Sequence, residues 1–440
     1  MSAPYENLDF AREEVIKCMS CGNCQEVCPL YYNTHEESSA ARGKIKLVDA
    51  ILKGLIDTDA VGLDHAFHMC LTCKACNDVC PCGVQIDKIV LSARSEMVRK
   101  KGLHPLKKVI FNIVERPFLM DTGMRLGGNF QGTVFKKEKE ANGYSPRFPF
   151  GLDMRRVVPD LAEKPFRMAV AERNLPTGAS KYRVAFFTGC SANYLFPNVA
   201  ESFMNVMKHN NTEVIVPKAQ HCCGMPILSH GDQRTAKEMA IDHVKLFSKL
   251  DVDYILTVCG SCGLSLREHY PELLEGTEYY DMSLAVASKV MDWTTFLMEV
   301  VKPDLSQMHT PKLVVTYHDP CHLRRGMKVW KEPRRILNEL PDIDFREMKK
   351  PDRCCGSAGS FSLTHYDLSM NVQNQKFDDV RQTGADTIVT GCGSCMMQLN
   401  DGQNRFKGNC VIKHTVEILS DAYNDNDRRL RVARARSLAK

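Results

Sequence analysis

Cys354-Cys355-Gly356 places two thiols side by side ahead of a glycine, and Cys222-Cys223-Gly224 repeats the arrangement earlier in the chain. Adjacent cysteines rarely pair with each other as a disulfide. When both side chains face one point they offer two thiolates to one inorganic centre, and the glycine lets the backbone approach where a Cβ would collide. The fold of most of the chain follows from what surrounds these two stretches.

The surroundings of the two stretches are repeated as well. Val184 to Cys190 and Val314 to Cys321 are β-branched and aromatic runs that end on a cysteine, and strand patterns also precede the C-x2-C pairs that begin at Cys259 and Cys392. A helical pattern lies ahead of each final strand. Strands that alternate with helices indicate two α/β units related by gene duplication. Ligands of such units gather beyond the carboxyl ends of the strands, where the cysteines are predicted to lie.

Each unit carries five cysteines, one more than a single cubane cluster uses. They are Cys190, Cys222, Cys223, Cys259 and Cys262 in the first unit, and Cys321, Cys354, Cys355, Cys392 and Cys395 in the second. Five thiolates suit a cluster of unusual shape, or a cubane that leaves one cysteine free for chemistry. A conventional cluster with an inert spare cysteine fits the spacing equally well, so these interpretations stay open.

The first hundred residues contain a different cysteine pattern. The run C-x2-C-x2-C-x3-C-P occurs twice, from Cys18 to Pro29 and from Cys70 to Pro81, and in this motif the fourth cysteine ligates the other cluster. The motif therefore predicts one [4Fe–4S] cubane on Cys18, Cys21, Cys24 and Cys80, and a second on Cys28, Cys70, Cys73 and Cys76. Structural zinc is the alternative, but it usually uses C-x2-C pairs separated by a longer loop. Neither cubane requires Cys82, which is expected to be a small buried residue.

The predicted fold class is α+β and multidomain. Ile45, Val48, Leu52 and Leu55 recur at helical spacing, so the first domain should be small and mostly helical. Beyond it the periodicity fades into connector composition. The predicted boundaries are 1–102 for a helical, ferredoxin-type domain with two clusters, 103–180 for the connector, 181–310 and 311–423 for the two α/β units, and 424–440 for a basic tail.

Composition favours a soluble, redox-active protein of the cytoplasm. No apolar run among the 440 residues approaches the roughly 18 residues needed to span a bilayer. Met1 to Phe10 lacks the basic start and apolar core of a signal peptide. Twenty cysteines in such a chain favour metal or redox chemistry over disulfides, because a reducing cytosol keeps thiols free.

The net charge of +5 is concentrated at the end of the chain. The basic residues after Asp427, with no acidic residue among them, are Arg428, Arg429, Arg431, Arg434, Arg436 and Lys440. The rest of the chain is near neutral, which argues against nucleic acid as a partner. We expect a disordered, solvated tail, with contact to an anionic membrane surface or a partner as the alternative. Leu106 to Leu119 has an apolar face, which we expect to pack on its own neighbours rather than on a partner or a membrane.

Other polar residues lie in or beside the cysteine motifs. The histidines are His221, His318, His322 and His414. A histidine in such a place can donate to a cluster sulfur and tune its potential, or give a proton to a leaving thiol. A hydrogen-bonded core position is the other interpretation, which we favour for His221 and His414. Arg42-Gly43-Lys44 either offers donors to a cluster or forms a solvated helix cap.

The combined pattern resembles a known family. A cysteine, then Cys-Cys-Gly, then C-x2-C, with runs such as Cys223-Gly224-Met225-Pro226 and His318-Asp319-Pro320-Cys321-His322, is similar to the cysteine-rich CCG domain of heterodisulfide reductases and related iron–sulfur oxidoreductases. Two ferredoxin motifs ahead of two such domains resemble the CCG-domain subunits of membrane-bound heterodisulfide reductase, of glycolate and lactate oxidases, and of anaerobic glycerol-3-phosphate dehydrogenase. The resemblance covers residues 10 to 420.

The resemblance implies that each five-cysteine motif can hold a noncubane [4Fe–4S] cluster, which adds one or two clusters to the two cubanes. It also implies an oxidoreductase subunit in a hetero-oligomeric complex, carrying electrons from a flavoprotein that oxidises a 2-hydroxyacid or similar substrate to a quinone or another acceptor. Such a subunit could lie peripherally on the cytoplasmic face of the membrane. No Gly-x-Gly-x-x-Gly fingerprint opens a helix after a strand in this sequence, so we expect the flavin on a separate protein of the complex.

Reduction of a disulfide at a pair of noncubane clusters is the alternative function. This chain keeps all ten CCG cysteines, some of which the dehydrogenase relatives often lack. The candidate catalytic residues are then Cys355 and Cys223, in the vicinal pairs, and His322 as a proton donor beside a ligand. A zinc-stapled scaffold protein is a third, non-redox hypothesis.

Overall fold

Short helices surround the two N-terminal cysteine runs in the computed structural model, which describes residues 4–5, 8–138, 143–149 and 151–438, with 430–438 as backbone only. They are α1 (Asp9–Ile16), α2 (Asn23–Glu26), α3 (Pro29–Thr34), α4 (Ala41–Leu52), α5 (Leu63–His68), α6 (Ala75–Asp78) and α7 (Ile86–Lys101). Ile45 and Val48 are buried with the apolar face of α7 in one core, as their spacing predicts. Leu55 is exposed, contrary to prediction, because α4 and its helical period end at Leu52.

A helical hairpin occupies the predicted connector. This region contains α8 (Pro105–Glu115), α9 (Pro117–Val134), β1 (Phe135–Lys137), β2 (Tyr144–Pro146) and α10 (Phe166–Ala169). Several glycines weaken the helical pattern of α9, so tertiary contacts rather than helix propensity stabilise it. The buried Gln131 donates to the Pro159 carbonyl and accepts from the Leu161 amide. The Leu161 side chain lies against Gly127, where a Cβ would come within 3.2 Å of Leu161 Cδ1.

The apolar face of α8 does not pack as the sequence analysis expects. Phe111 is buried, but Leu106, Val109 and Ile110 are exposed, and so is Phe118 at the start of α9. The prediction that Leu106 to Leu119 packs on its own neighbours is therefore wrong for most of its apolar side chains. The body of the protein contacts α8 on the face that carries Phe111 and leaves the adjoining face uncovered.

Each α/β unit is built on a sheet of mainly parallel strands. The first unit contains β3 (Arg173–Asn174), β4 (Tyr182–Phe187), β5 (Thr212–Ile215), β6 (Tyr254–Thr257) and β7 (Val290–Asp292), in the order β3-β5-β4-β6-β7. The second contains β8 (Leu313–His318), β9 (Ile343–Phe345), β10 (Thr387–Thr390) and β11 (Val411–His414), in the order β9-β8-β10-β11. Apart from β3, which pairs antiparallel at one edge, the two orders are the same. The structure therefore confirms the duplicated α/β architecture.

Helices connect the strands of both sheets. In the first unit they are α11 (Pro197–His209), α12 (Met225–Leu228), α13 (Gln233–Phe247), α14 (Gly260–Leu264), α15 (Tyr270–Leu274), α16 (Tyr280–Lys289) and α17 (Trp293–Thr295). In the second they are α18 (Lys331–Glu339), α19 (Phe361–Thr364), α20 (Tyr366–Thr383), α21 (Gly393–Arg405) and α22 (Thr415–Leu438). Parallel pairing requires such crossovers, which cover the sheet faces and bury the apolar strands.

Strand register brings the cysteines together. Phe187 at the end of β4 pairs with Thr257 at the end of β6, and His318 at the end of β8 pairs with Thr390 at the end of β10. Cysteines follow all four of these strands within three residues. Because parallel strands end at the same edge of a sheet, the cysteines lie beyond the carboxyl ends, as predicted.

The basic end of the chain is helical rather than disordered, because α22 continues to Leu438. Its first half packs on α11 and buries Leu419 and Tyr423, which provides a nucleus for the turns that follow. Arg428 and Arg429 both donate to the Asp425 carboxylate. The side chains of Arg431, Arg434 and Arg436, and the whole of Lys440, lie outside the described residues.

Gly356, directly after the vicinal cysteines, provides a test of the close approach that the sequence predicts. Its φ is 87°, and a Cβ there would lie 2.5 Å from the Ser369 carbonyl oxygen. Gly356→Ala should therefore lower the free energy of unfolding by more than the ~1–2 kcal/mol that left-handed backbone costs an L-residue. Thermal midpoints of anaerobically purified proteins would measure the loss.

Gly276→Ala is the matched control for this substitution. Gly276 has a φ of 75°, and no described atom lies within 4 Å of its Cβ position. The control should show the backbone cost alone. Equal thermal midpoints for the two variants would contradict the predicted collision at Gly356.

Candidate metal centres

Two cavities in the helical domain are lined by the thiols of the ferredoxin-type runs. Cys18, Cys21, Cys24 and Cys80 line one cavity, and Cys28, Cys70, Cys73 and Cys76 line the other. The structure thus brings together both predicted sets, including the exchange of the fourth cysteine between the runs. Four thiols around one cavity are a donor set that fits a [4Fe–4S] cluster. Ile86 lines both cavities, so the two sets are neighbours.

Residues beside these two cavities fall into different environments. Arg42 lines the first cavity and forms an ion pair with Glu37. Lys44 is buried against the second, where its Nζ donates to the carbonyls of Ser38 and Ser39 at 2.6 and 2.8 Å. Burial lowers the pKa of Lys44. Lys44 is therefore not a solvated cap. Cys82, which the sequence predicts to be buried, is only partly buried and lines the first cavity beside the four predicted ligands.

One cavity of about 100 Å³ between the two α/β units is lined by all ten CCG cysteines. Cys259 Sγ of the first unit lies 3.6 Å from Cys392 Sγ of the second. Within the second unit, Cys355 Sγ lies 3.6 Å from Cys395 Sγ. The two five-cysteine sets are therefore in direct contact and form one row of thiols.

Hydrogen bonds between neighbouring thiols of the row shift the pKa values of these cysteines. Hydrogen bonds from the Cys222 and Cys262 thiols hold the pKa of Cys223 well below its ordinary value. Hydrogen bonds from Cys321 and Cys355 do the same for the pKa of Cys354. In each vicinal pair the pKa of one cysteine is therefore lowered and that of its neighbour is raised. Thiolates are the form that binds metal, so this arrangement is prepared for metal ions.

The second unit also contacts the second ferredoxin-type set. Cys28, Cys73, Cys321 and Cys354 pack in the same apolar cluster. Arg325 lies at this junction and donates from Nη1 to the Cys73 carbonyl at 3.4 Å. Although burial lowers the pKa of Arg325, the negative charges of the Cys73 and Cys321 thiolates and of the Asp352 carboxylate hold it above its ordinary value. The second ferredoxin-type set therefore adjoins the five-cysteine set of the second unit.

Arg325 is a residue that the sequence analysis did not single out, although it stands four residues after Cys321. Lys376 is another. It is fully buried on α20, and its Nζ donates to the carbonyls of Lys350 and Pro351 at 2.8 and 2.9 Å. Burial lowers the pKa of Lys376 to about 8. A lysine on the buried face of α20 is the signal that could have identified it.

His318 lies against the second five-cysteine set. It is buried, and neither of its ring nitrogens has a hydrogen-bond partner among the described residues. One of its nitrogens lies within 4.8 Å of the Sγ atoms of Cys355 and Cys395. Burial lowers the pKa of His318 to about 3, so the ring is neutral and carries a single N–H donor. Phe187 occupies the corresponding place in the first unit, the third residue ahead of its first cysteine.

The other three histidines are hydrogen-bonded. His414 Nε2 donates to the Val258 carbonyl at 2.9 Å, and His221 Nδ1 donates to the Cys222 carbonyl at 3.0 Å. Both are buried, which agrees with the core positions expected for them. His322 lines the cavity of ten cysteines; its Nε2 donates to the Thr72 carbonyl and its Nδ1 accepts from the Ser261 hydroxyl.

A cleft of about 480 Å³ opens beside the cavity of ten cysteines, and Thr72, Ser229 and Ala358 line both. The histidines that line the cleft are His65, His68, His104, His230 and His365. Burial, and then the positive charge of Lys107, lower the pKa of His230 to about 3. The cleft provides a route by which a small molecule could approach the cysteines.

Comparisons with known proteins agree with this architecture. A model of the 4Fe-4S dicluster domain matches residues 14–84, and a model of the cysteine-rich domain CCG matches residues 184–267 and 315–400. These matches support iron–sulfur clusters in both parts of the chain.

Three relatives align with nearly the whole chain. The "Probable glycolate oxidase iron-sulfur subunit" of Bacillus subtilis (strain 168) is 32% identical over 423 residues, which cover 93% of this chain and 94% of that protein. One of the subunits of dihydromethanophenazine:CoB–CoM heterodisulfide reductase from Methanosarcina barkeri is 25% identical, with 93% and 94% covered. One of the subunits of fumarate reductase (CoM/CoB) from Methanothermobacter marburgensis is 26% identical, with 93% and 72% covered.

All three relatives are named as subunits of multisubunit oxidoreductases. The two ferredoxin-type sets, the ten CCG cysteines at the strand ends and the similarity along the whole chain lead to one assignment. The chain belongs to the family of CCG-domain iron–sulfur oxidoreductase subunits.

Proposed function

We propose that this chain relays electrons between a flavoprotein dehydrogenase, acting on a 2-hydroxyacid or a similar substrate, and a quinone or another acceptor. When bound, iron–sulfur clusters supply single-electron transfer. The observation that supports the relay is the order of the thiol sets: the first two cavities share Ile86, Cys73 packs in one cluster with Cys354, and Cys259 contacts Cys392. Electron tunnelling falls steeply with distance, so contact between successive sets is what a relay requires.

The proposed ligands are the two sets of four thiols for cubanes and the two sets of five for noncubane [4Fe–4S] clusters. Every one of the ten CCG cysteines lines the shared cavity. This shared lining, together with the contacts between the thiols, favours five-thiol ligation in each unit. The two α/β units, proposed at 181–310 and 311–423, would each contribute one centre, and the helical domain, proposed at 1–102, would contribute two.

The two remaining proposed segments are the connector and the tail. The proposed connector, 103–180, contains the α8–α9 hairpin, and the proposed tail, 424–440, continues α22. A quinone acceptor is dissolved in a bilayer. Relay to a quinone therefore requires that the complex meet a membrane surface or a membrane-bound partner.

Disulfide reduction at the paired five-cysteine sets is the second candidate function. The specific observation that favours it is the cleft, which reaches the cavity where both sets meet. In this role Cys355 and Cys223 would be the reacting edges of the two sets. His322 would have to release the Thr72 carbonyl, to which its Nε2–H donates, in order to deliver a proton.

Exchange of ligands between the ferredoxin-type runs can be tested at Cys28. Cys28→Ser should remove the cluster of the second set, although Cys28 belongs to the first run, because a serine hydroxyl is a poor replacement for a thiolate. Iron in anaerobically purified protein should fall by about four atoms per chain. Cys82→Ser is the matched control and should leave the iron content unchanged. Full iron content in Cys28→Ser, or loss of iron in the control, would contradict the proposed ligand sets.

The relay and the disulfide reductase predict different reoxidation of the dithionite-reduced chain. If the chain relays electrons, a water-soluble short-chain quinone should reoxidise it, whereas cystamine, a small disulfide, should produce no new signal in electron paramagnetic resonance spectra. A cystamine-dependent paramagnetic signal that disappears in Cys355→Ser would favour disulfide reduction. Copurification of a flavoprotein with the tagged chain would favour the relay.

His318 should raise the potential of the centre in the second unit, because its N–H can stabilise the extra negative charge of a reduced cluster. We expect His318→Phe, which copies Phe187 of the first unit, to lower one midpoint potential by ~60 mV, equivalent to about 1.4 kcal/mol for one electron. A redox titration monitored by electron paramagnetic resonance would measure it. His318→Gln keeps an N–H donor and should recover part of the shift. Unchanged potentials in His318→Phe would contradict this role.

A further inference from the structure

The α8–α9 hairpin carries an unusual concentration of exposed apolar side chains. Among the described residues 22 large hydrophobic side chains are exposed, and nine of them belong to this hairpin. They are Leu106, Val109, Ile110, Ile113, Phe118, Leu119, Leu126, Phe130 and Val134. Single exposed apolar residues are ordinary. A grouped set of this size marks an interaction surface.

The spacing of these residues places them on one side of each helix. On α8, Leu106, Val109, Ile110 and Ile113 follow the i, i+3, i+4, i+7 pattern of a single stripe. On α9, Leu119, Leu126, Phe130 and Val134 fall within one arc of the helix. Phe118 is 78% exposed, Leu106 62% and Phe130 60%. We refer to the nine side chains together as the apolar face.

The opposite sides of both helices are fixed to the body of the protein. Asp121 accepts from the Tyr194 hydroxyl at 2.7 Å and from Arg167 Nη2 at 3.0 Å. The buried Gln131 is hydrogen-bonded to Pro159 and Leu161, and Phe111 packs against the His230 ring. These contacts hold the hairpin in place, and the rest of the chain leaves its apolar face uncovered.

The exposed charges of the hairpin identify its partner. Within residues 103–138, all of which the structure describes, every exposed charged side chain is basic. These are Lys108, Arg116, Arg125, Lys136 and Lys137. The acidic residues of the segment are only partly exposed, and Asp121 points inward to its two partners. We call these five side chains the basic group; anionic lipids attract basic residues with about 1 kcal/mol for each one near the surface.

The form of the hairpin also fits an interfacial position. Among the described residues no helix is both long and apolar enough to cross a membrane. An amphipathic helix with an apolar face and a basic rim instead lies in the plane of the headgroups. We propose that the α8–α9 hairpin docks this chain on the surface of an anionic lipid bilayer, with the apolar face inserted at the level of the headgroups.

Docking in this way would bring the histidine-lined cleft close to the bilayer. His104, directly ahead of α8, and Lys107, in its first turn, both line that cleft. A lipid-soluble acceptor could then approach the cysteines from the membrane side. The docking itself depends only on the apolar face and the basic group, so it holds whether or not the proposed relay to a quinone is correct.

Vesicle flotation of the full, cluster-loaded chain tests the proposal directly. The chain should float with vesicles of phosphatidylcholine and phosphatidylglycerol, and less with phosphatidylcholine alone. The triple variant Ile110→Gln, Phe118→Gln, Phe130→Gln should reduce the bound fraction at least ~10-fold, because each substitution removes apolar area from the lipid contact. Replacement of the whole basic group, Lys108→Gln, Arg116→Gln, Arg125→Gln, Lys136→Gln and Lys137→Gln, should abolish the preference for anionic vesicles.

The matched control carries three equivalent substitutions at exposed apolar residues elsewhere, Leu55→Gln, Val61→Gln and Leu175→Gln. It should float like the unmodified chain. Iron content and the spectrum after dithionite reduction should be the same in all variants, which separates a failure of docking from a failure of the proposed relay. Failure of the unmodified chain to float would overturn the proposal. So would equal flotation of the triple variant, and a dimer that only the triple variant dissociates would assign the face to a second copy.

Discussion

The negative charge of thiolates in a buried cavity is the constraint on which the rest of the structure depends. Ten cysteines line the space between the two α/β units, and thiolates are costly to bury without compensating positive charge. Bound metal ions provide that compensation and release the thiol protons. The protein places buried cations at the margins of its thiol sets, among them Lys44, Arg325 and Lys376. Parallel strands make the arrangement possible because their carboxyl ends meet at one edge of each sheet.

The sequence was sufficient to predict the fold class and the grouping of cysteines, because both follow from spacing. The motif alone predicts that Cys28, which belongs to the first run, lines a cavity with Cys70, Cys73 and Cys76 of the second run. The two sheets could be predicted from apolar runs that end on cysteines. His414 is the last residue of β11 and is buried, as expected for a core histidine.

Long-range contacts explain what the sequence did not predict. Arg325 matters because its guanidinium meets Cys73 from a distant part of the chain, and nothing in its neighbourhood in the sequence indicates that contact. The sequence did not predict the α8–α9 hairpin because α9 contains several glycines, which disfavour a helix. Contacts that involve Leu161 and Gln131 stabilise the helix instead. The exposure of its apolar face could not be read from periodicity, which shows that a face is apolar but not what covers it.

The two copies of the duplicated unit kept their cysteines and diverged around them. Where the first unit has Phe187, the second has His318 with an N–H that has no partner among the described residues. Where α13 carries His243, α20 carries Lys376, at the same distance ahead of its C-x2-C pair. Burial keeps His243 neutral, whereas Lys376, with a pKa of about 8, is mostly protonated at neutral pH. Arg325 adds a second buried cation to the same unit. Positive charge and hydrogen-bond donors next to a cluster favour its reduced form. Two thiol sets of the same ligand type are therefore electrostatically inequivalent, and the set with more positive charge is the one that packs against the ferredoxin-type domain through Cys73 and Cys354.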